Sequence, residues 1–172
     1  MQKPSGTLAI TDTRTVLERV PIAQNLRHDQ LDTVITEAWL SGEAPASSAV
    51  PEIAALQRAH PGQNIGLYVW ADWCPICTAQ QGTIDGVQAD YPVLTVAMQS
   101  GDAAAVNKVL AERGLDWTTA IDTDGRIAQT YGLRGVPAFV IVDPAGAIRS
   151  VSLGYTTGWG LRARLWWAGL SS

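Results

Sequence analysis

The chain has 172 residues, of which 16% are charged, below the ~25% usual in soluble domains, while an apolar share of 47% suits a folded core. With 16 acidic and 12 basic residues the net charge is −4, so a nucleic-acid-binding role lacks its electrostatic footing, and no repeat period supports a collagen or coiled-coil architecture. No run approaches 18 consecutive apolar residues and the opening Met1–Gly6 has no apolar signal core, so membrane attachment would need an anchor absent from this chain.

In chain order, Leu26–Leu40 carries Leu31, Val34, Ile35, Ala38 and Leu40 at amphipathic-helix spacing, and Ser41–Ser48 is a small-residue linker. Residues 1–49 thus read as an N-terminal extension ahead of a domain over residues 50–172. Ile65–Trp70 is a short apolar run of the kind that forms a buried strand. Thr78–Ala89 reads as helix, weakened at Gly82 and Gly86. Val93–Met98 is a second buried strand, and Asp102–Arg113 a helix with Gly114 as its stop signal. Trp117–Ile121 is a short strand. Asp122–Gly125 reads as a helix entry rather than a calcium loop, because the bidentate Glu of such a loop is replaced by Leu133. Ala138–Val142 is a fourth strand, Asp143–Gly146 a turn, Ile148–Leu153 a returning hairpin strand and Gly158–Ala168 a final helix. Alternation first and a hairpin plus helix last predict an α/β fold with a mixed central sheet flanked by helices.

The only two cysteines lie in Trp73-Cys74-Pro75-Ile76-Cys77. A disulfide scaffold and a four-thiolate zinc site both need more thiols, His28 and His60 have no metal-site spacing, and Thr78 after Cys77 excludes haem attachment. A redox dithiol, a two-thiol metal site and an incidental pair remain, and context favours the first. Placed between a strand end and a helix start, Cys74 would face unpaired backbone N–H groups and the positive end of the helix dipole. Its pKa should fall below the ~8.5 of a free thiol, making it the nucleophile. Cys77 follows about one turn later, within reach of a mixed disulfide at Cys74, and Pro75 suits a first helical position.

Trp70-Ala71-Asp72-Trp73-Cys74-Pro75-Ile76-Cys77 and Gly135-Val136-Pro137 together resemble the two signatures of the thioredoxin superfamily. The stretch from about 99 to 121 resembles the insertion of its TlpA-like branch. Val96–Gly101, Tyr131–Pro137, Gly154–Thr157 and Leu165–Gly169 resemble the suppressor-of-copper-sensitivity D type. The resemblance implies a thioredoxin-like fold and a thiol–disulfide oxidoreductase of the periplasm, tethered in its full-length form to the inner membrane. By the same resemblance Cys74 is the exposed attacking thiol and Cys77 the resolving one. Pro137 is a cis-proline beside the dithiol, and Val136, Trp73, Pro75 and Ile76 shape the substrate approach. No cofactor is implied, since electrons come from another protein dithiol, a DsbD-like membrane reductase, which favours the reducing direction. Two alternatives accompany this reading: a thiol reductant for apocytochrome c, and a Cu(I)-binding module of copper tolerance using the same two cysteines.

Three departures stand out. Tyr68 occupies the place of a buried thioredoxin Asp, Gln80 that of a Glu found in some TlpA-like reductases, and residues 1–50 match no TlpA-like opening. Deprotonation of Cys77 is thereby left to water or Asp72. Among the seven tryptophans, Trp70 reads as core and Trp73 as a shield beside the nucleophile. Trp159, Trp166 and Trp167, with Arg162 and Arg164, read as a helix packed on the sheet with its arginines outward rather than a membrane-surface helix.

Overall fold

Three strands made almost wholly of apolar residues, β1 (Ile65–Trp70), β2 (Val93–Met98) and β4 (Ala138–Val142), are buried along their full length, so each must be covered on both faces. The computed structural model describes residues 51–170 and provides that cover. Helix α1 (Pro51–Ala59) precedes β1, and α2 (Pro75–Gln88) connects β1 to β2. After β2 come α3 (Ala103–Glu112), β3 (Thr119–Asp122) and α4 (Arg126–Thr130). β4, β5 (Ile148–Leu153) and α5 (Gly158–Leu170) complete the fold. The sheet runs β3-β2-β1-β4-β5; the β1–β2 and β2–β3 pairs are parallel, the β1–β4 and β4–β5 pairs antiparallel. The expected mixed sheet flanked by helices is present.

Strand alternation divides the core into two. Tyr68, Trp70, Phe139 and Ile141 face Ile84 and Val87 of α2, Val106 and Leu110 of α3, and Leu161, Leu165 and Ala168 of α5. Leu67, Val69, Leu94, Val96 and Val140 face Ile53 of α1 and the Ile127–Tyr131 region of α4.

The elements differ from expectation in four places. Helix α1 was not predicted, although Pro51 at its start and Glu52 in its first turn are helix-entry residues. The third strand begins at Thr119, two residues late, because Trp117 leaves the sheet to bury its ring. That ring stands edge-on to Tyr68 and Trp70, and its Nε1–H donates to Asp85 Oδ1 at 2.6 Å. Helix α2 starts at Pro75 and runs through both glycines; at Gly86 the bare backbone leaves the carbonyl open to Arg162 Nη2, 2.6 Å away. On α5 the arginines do not simply point outward. Arg162 pairs with Asp90 at 2.8 Å and Arg164 donates to Ser152 Oγ, leaving Trp159, Trp166 and Trp167 as the exposed face. No helix among the described residues is long and apolar enough to cross a membrane. The helix expected over 26–40 and the linker over 41–48 lie outside the described residues.

Asp122 shows why an acidic turn can be structural. Its two carboxylate oxygens accept from the N–H groups of Ile127 (3.0 Å) and Ala128 (2.9 Å), which lie in the first turn of α4 and have no helical partner. Burial pushes its pKa up, and those two N–H groups pull it back down. The raised pKa means the folded state holds this proton more tightly than the unfolded state, so the carboxyl's contribution declines as pH rises above the ordinary Asp range. Asp122→Ala strands two buried donors while relieving the desolvation of one carboxylate. The stranded N–H groups cost about 2 kcal/mol between them and the relieved desolvation offsets part of it, so a net loss of up to about 2 kcal/mol is expected in urea unfolding at pH 7.

Candidate redox site

The site begins where β1 ends. Ala71 is buried, and the chain turns through Asp72 and Trp73 into Cys74, which is the N-cap of α2 with an extended backbone. The Cys77 N–H donates to Cys74 Sγ at 3.1 Å, and Pro75 takes the first helical position, where no N–H is needed. Cys74 and Cys77 are joined as a disulfide with Cα atoms 5.3 Å apart. A neutral disulfide sulfur therefore stands where the thiolate would form on reduction, already in line with the donor that would stabilise it.

Cys74 is less open than expected of an exposed attacking thiol. It is 5% exposed and Cys77 1%, because in the oxidised form Sγ of Cys74 is turned in onto its partner sulfur and the Cys77 amide. The accessible surface belongs instead to its neighbours Trp73 (58%) and Ile76 (52%), with Pro75 also exposed.

The second motif reaches the same place through sheet register. Val69 pairs with Ala138 in the antiparallel β1–β4 ladder, so Pro137 lies level with Trp70, at the sheet end from which the cysteine loop leaves. The Val136–Pro137 peptide is cis, Pro137 is buried and Val136 half-buried. The Gly154 N–H donates to the Pro137 carbonyl at 2.8 Å, which brings the end of β5 and the loop after it, with exposed Leu153 and Tyr155, beside the motif.

The two departure residues are also at the dithiol. Tyr68 is buried edge-on to Trp117, with its hydroxyl 3.5 Å from the Cys77 carbonyl, a long contact. Burial raises its pKa far above the usual tyrosine range, so it remains a phenol and cannot serve as a base. Gln80 is buried one turn after Cys77; its Nε2 donates to the Thr156 carbonyl at 3.1 Å, and its Oε1 has no partner among the described residues. Asp72 is half-buried and its Oδ1 accepts from the Trp73 N–H at 2.9 Å.

Three residues that sequence reasoning assigned no role at the site grip its loop. Ser100 Oγ accepts from the Asp72 N–H (3.0 Å), the Gln99 carbonyl accepts from Trp73 Nε1–H (3.2 Å), and Arg113 Nη2 donates to the Asp72 carbonyl (3.0 Å). Gln99 has φ 49°, a left-handed backbone unusual outside glycine, and that turn carries the carbonyl to which the Trp73 indole is tied. Such a conformation has no sequence signal in a glutamine.

Comparison with known proteins agrees with this geometry. The pattern that defines the Redoxin family matches residues 44–159. A "thioredoxin-like protein" of Haemophilus influenzae is 33% identical over 103 residues, covering 59% of this chain and 61% of that protein. A "thiol:disulfide interchange protein DsbE homolog" of Paracoccus denitrificans is 35% identical over 113 residues, covering 65% and 62%. The chain thus spans about six tenths of the length of these curated relatives. Among solved structures, a secreted Mycobacterium tuberculosis disulfide oxidoreductase, described as homologous to Escherichia coli DsbE, superposes with TM-score 0.53 at 26% identity, covering 66% of this chain and 84% of that one.

Proposed function

Since this chain belongs to the Redoxin family, we propose that it is a thiol–disulfide oxidoreductase acting on protein substrates, with Cys74 as nucleophile and Cys77 as resolving thiol. The observation that carries this reading is the Cys74–Cys77 disulfide at the N-cap of α2, with the Cys77 N–H on Cys74 Sγ at 3.1 Å.

In the reducing direction, the Cys74 thiolate attacks one sulfur of a substrate disulfide. An S–S bond forms between Cys74 and the substrate as the substrate's own S–S bond breaks, and the leaving sulfur takes a proton from water. Cys77, losing its proton to solvent, then attacks Cys74 Sγ. The second substrate thiolate is released and protonated, and the Cys74–Cys77 disulfide remains. Two electrons have passed from the protein dithiol to the substrate, and no cofactor takes part. The reverse sequence oxidises a substrate dithiol.

Trp73, Pro75, Ile76, Val136 and Pro137 form the substrate rim in this reading; its support is the exposure of Trp73, Pro75 and Ile76 and the β1–β4 register that brings Pro137 to the same sheet end. The reducing direction, a periplasmic setting and a DsbD-like dithiol donor rest on the resemblance of the two motifs to TlpA-like reductases. The likeness to proteins named for thiol:disulfide interchange supports the exchange chemistry itself.

Equilibration of the dithiol against glutathione tests the direction. A potential near the ~−270 mV of thioredoxin is expected, whereas one near the ~−120 mV of a strong oxidant would reverse it. A dithiol that exchanges with neither glutathione nor a disulfide peptide would remove the activity itself.

A further inference from the structure

All three side-on contacts to the loop ahead of Cys74 come from the segment between β2 and β3, and only one of them carries a charge. Arg113 sits at the C-cap of α3 and reaches across 41 positions of sequence to the Asp72 carbonyl, two residues before Cys74. Its other terminal nitrogen, Nη1, is buried and has no hydrogen-bond partner among the described residues. None of the ion pairs Lys108–Glu112, Arg126–Asp124, Arg149–Asp143 and Arg162–Asp90 among the described residues involves it. A guanidinium is always charged, and placing it partly out of water with one donor unspent is unfavourable unless a negative charge sometimes forms nearby. The oxidised site holds no such charge on its sulfurs. The reduced site gains one when Cys74 ionises.

We propose that Arg113 is a positioning residue of the dithiol: held on the Asp72 carbonyl with Nη1 unspent, its guanidinium stabilises the Cys74 thiolate and so sets how strongly the reduced form is favoured. This rests on the exchange activity proposed above. The other ionisable groups on the surrounding elements do not supply the same effect. Tyr68 stays protonated, Asp85 accepts from Trp117, and Asp102 caps α3 through the Ala105 N–H. Asp72 places a negative charge on the loop itself, which opposes the thiolate and makes a nearby cation more consequential. Arg134, in the turn before Pro137, is a second cation at this sheet end but comes from the other motif.

The experiment compares full-length wild-type protein with Arg113→Gln, Arg113→Met and Arg113→Lys. Thiolate absorbance against pH gives the Cys74 pKa of the reduced form, glutathione equilibration gives the potential, and thermal unfolding gives stability. The neutral variants are expected to raise the Cys74 pKa by about one unit. Up to a tenfold shift toward the disulfide should follow, which is a fall of as much as ~30 mV in potential. Arg113→Lys, which keeps the charge, should stay near wild type in both. Wild-type pKa and potential in a folded Gln or Met variant would overturn the proposal, leaving Arg113 a clamp that affects only unfolding. So would Lys and Gln variants that shift alike, or failure of both neutral variants to fold. A wild-type protein with no titrating thiol and no glutathione equilibrium sinks the underlying exchange reading instead, and the two failures are distinct.

Discussion

Cys77→Ala is expected to halt turnover and to accumulate the protein as a mixed disulfide with its substrate, while Cys74→Ala is expected neither to turn over nor to form that adduct. The asymmetry follows from position. Cys74 is the N-cap residue and its sulfur receives the helix-end N–H, which in the proposed scheme makes it the attacking thiol. Cys77 is 1% exposed and meets a disulfide only after Cys74 has made one. Its attack is intramolecular, and well-oriented intramolecular reactions reach effective concentrations on the order of 10⁵ M, far above any external thiol. Removing it leaves the adduct to be cleared by solution thiols, so a loss of at least about 10³-fold in turnover is expected for either variant. Reduction of a disulfide-bonded peptide under non-reducing electrophoresis checks both. Turnover by Cys77→Ala at near wild-type rate would show that resolution does not need the second thiol, and the two-step scheme would fall.

Trp117→Ala is expected to be the most destabilising single substitution near the site. Trp117 is nearly buried and stands edge-on to both Tyr68 and Trp70, with ring centroids 5.9 and 5.7 Å away. Its indole N–H also holds Asp85 on α2, the helix that carries the dithiol. Truncation opens a large cavity, removes two aromatic pairs and leaves Asp85 without that donor. A cost of roughly 3–5 kcal/mol follows, or about 10 °C in melting temperature. Trp117→Phe keeps a ring in the space and loses mainly the hydrogen bond, costing about 1–2 kcal/mol. Equal losses in the two variants would mean that Asp85, not packing, is what Trp117 supplies.

What could be read from the chain divides along a physical line. Strands β1, β2 and β4 were legible because continuous apolar runs have few other uses, and the Cys74–Cys77 spacing was legible because one helical turn converts it into a pair. Gly135-Val136-Pro137 was placed by resemblance, and sheet register puts it level with Trp70. Trp117 was misread as strand because an aromatic β-former carries the same local preference whether it stays in the ladder or leaves it for the core. Arg113 read only as the end of a helix. Its bond to Asp72 spans 41 residues and depends on where α3 crosses the sheet, which no local pattern encodes. Helix α1 was lost for a plainer reason: at nine residues it is too short to be stable alone, and it is held by packing Ile53 and Leu56 on the sheet.

The shortness of the Cys74–Cys77 bridge has a further consequence. A cross-link stabilises a fold chiefly by restricting the unfolded chain, in proportion to the logarithm of the loop it closes. With a sequence separation of three, that loop is close to the smallest possible, and its closure is worth only about 2 kcal/mol on the chain-entropy account. The surrounding sheet and helices owe the bond little. Opening it takes up two electrons and closing it gives them back, both while leaving the architecture standing, so the molecule can shuttle between its two redox forms as a reusable carrier rather than as a scaffold that its own chemistry takes apart.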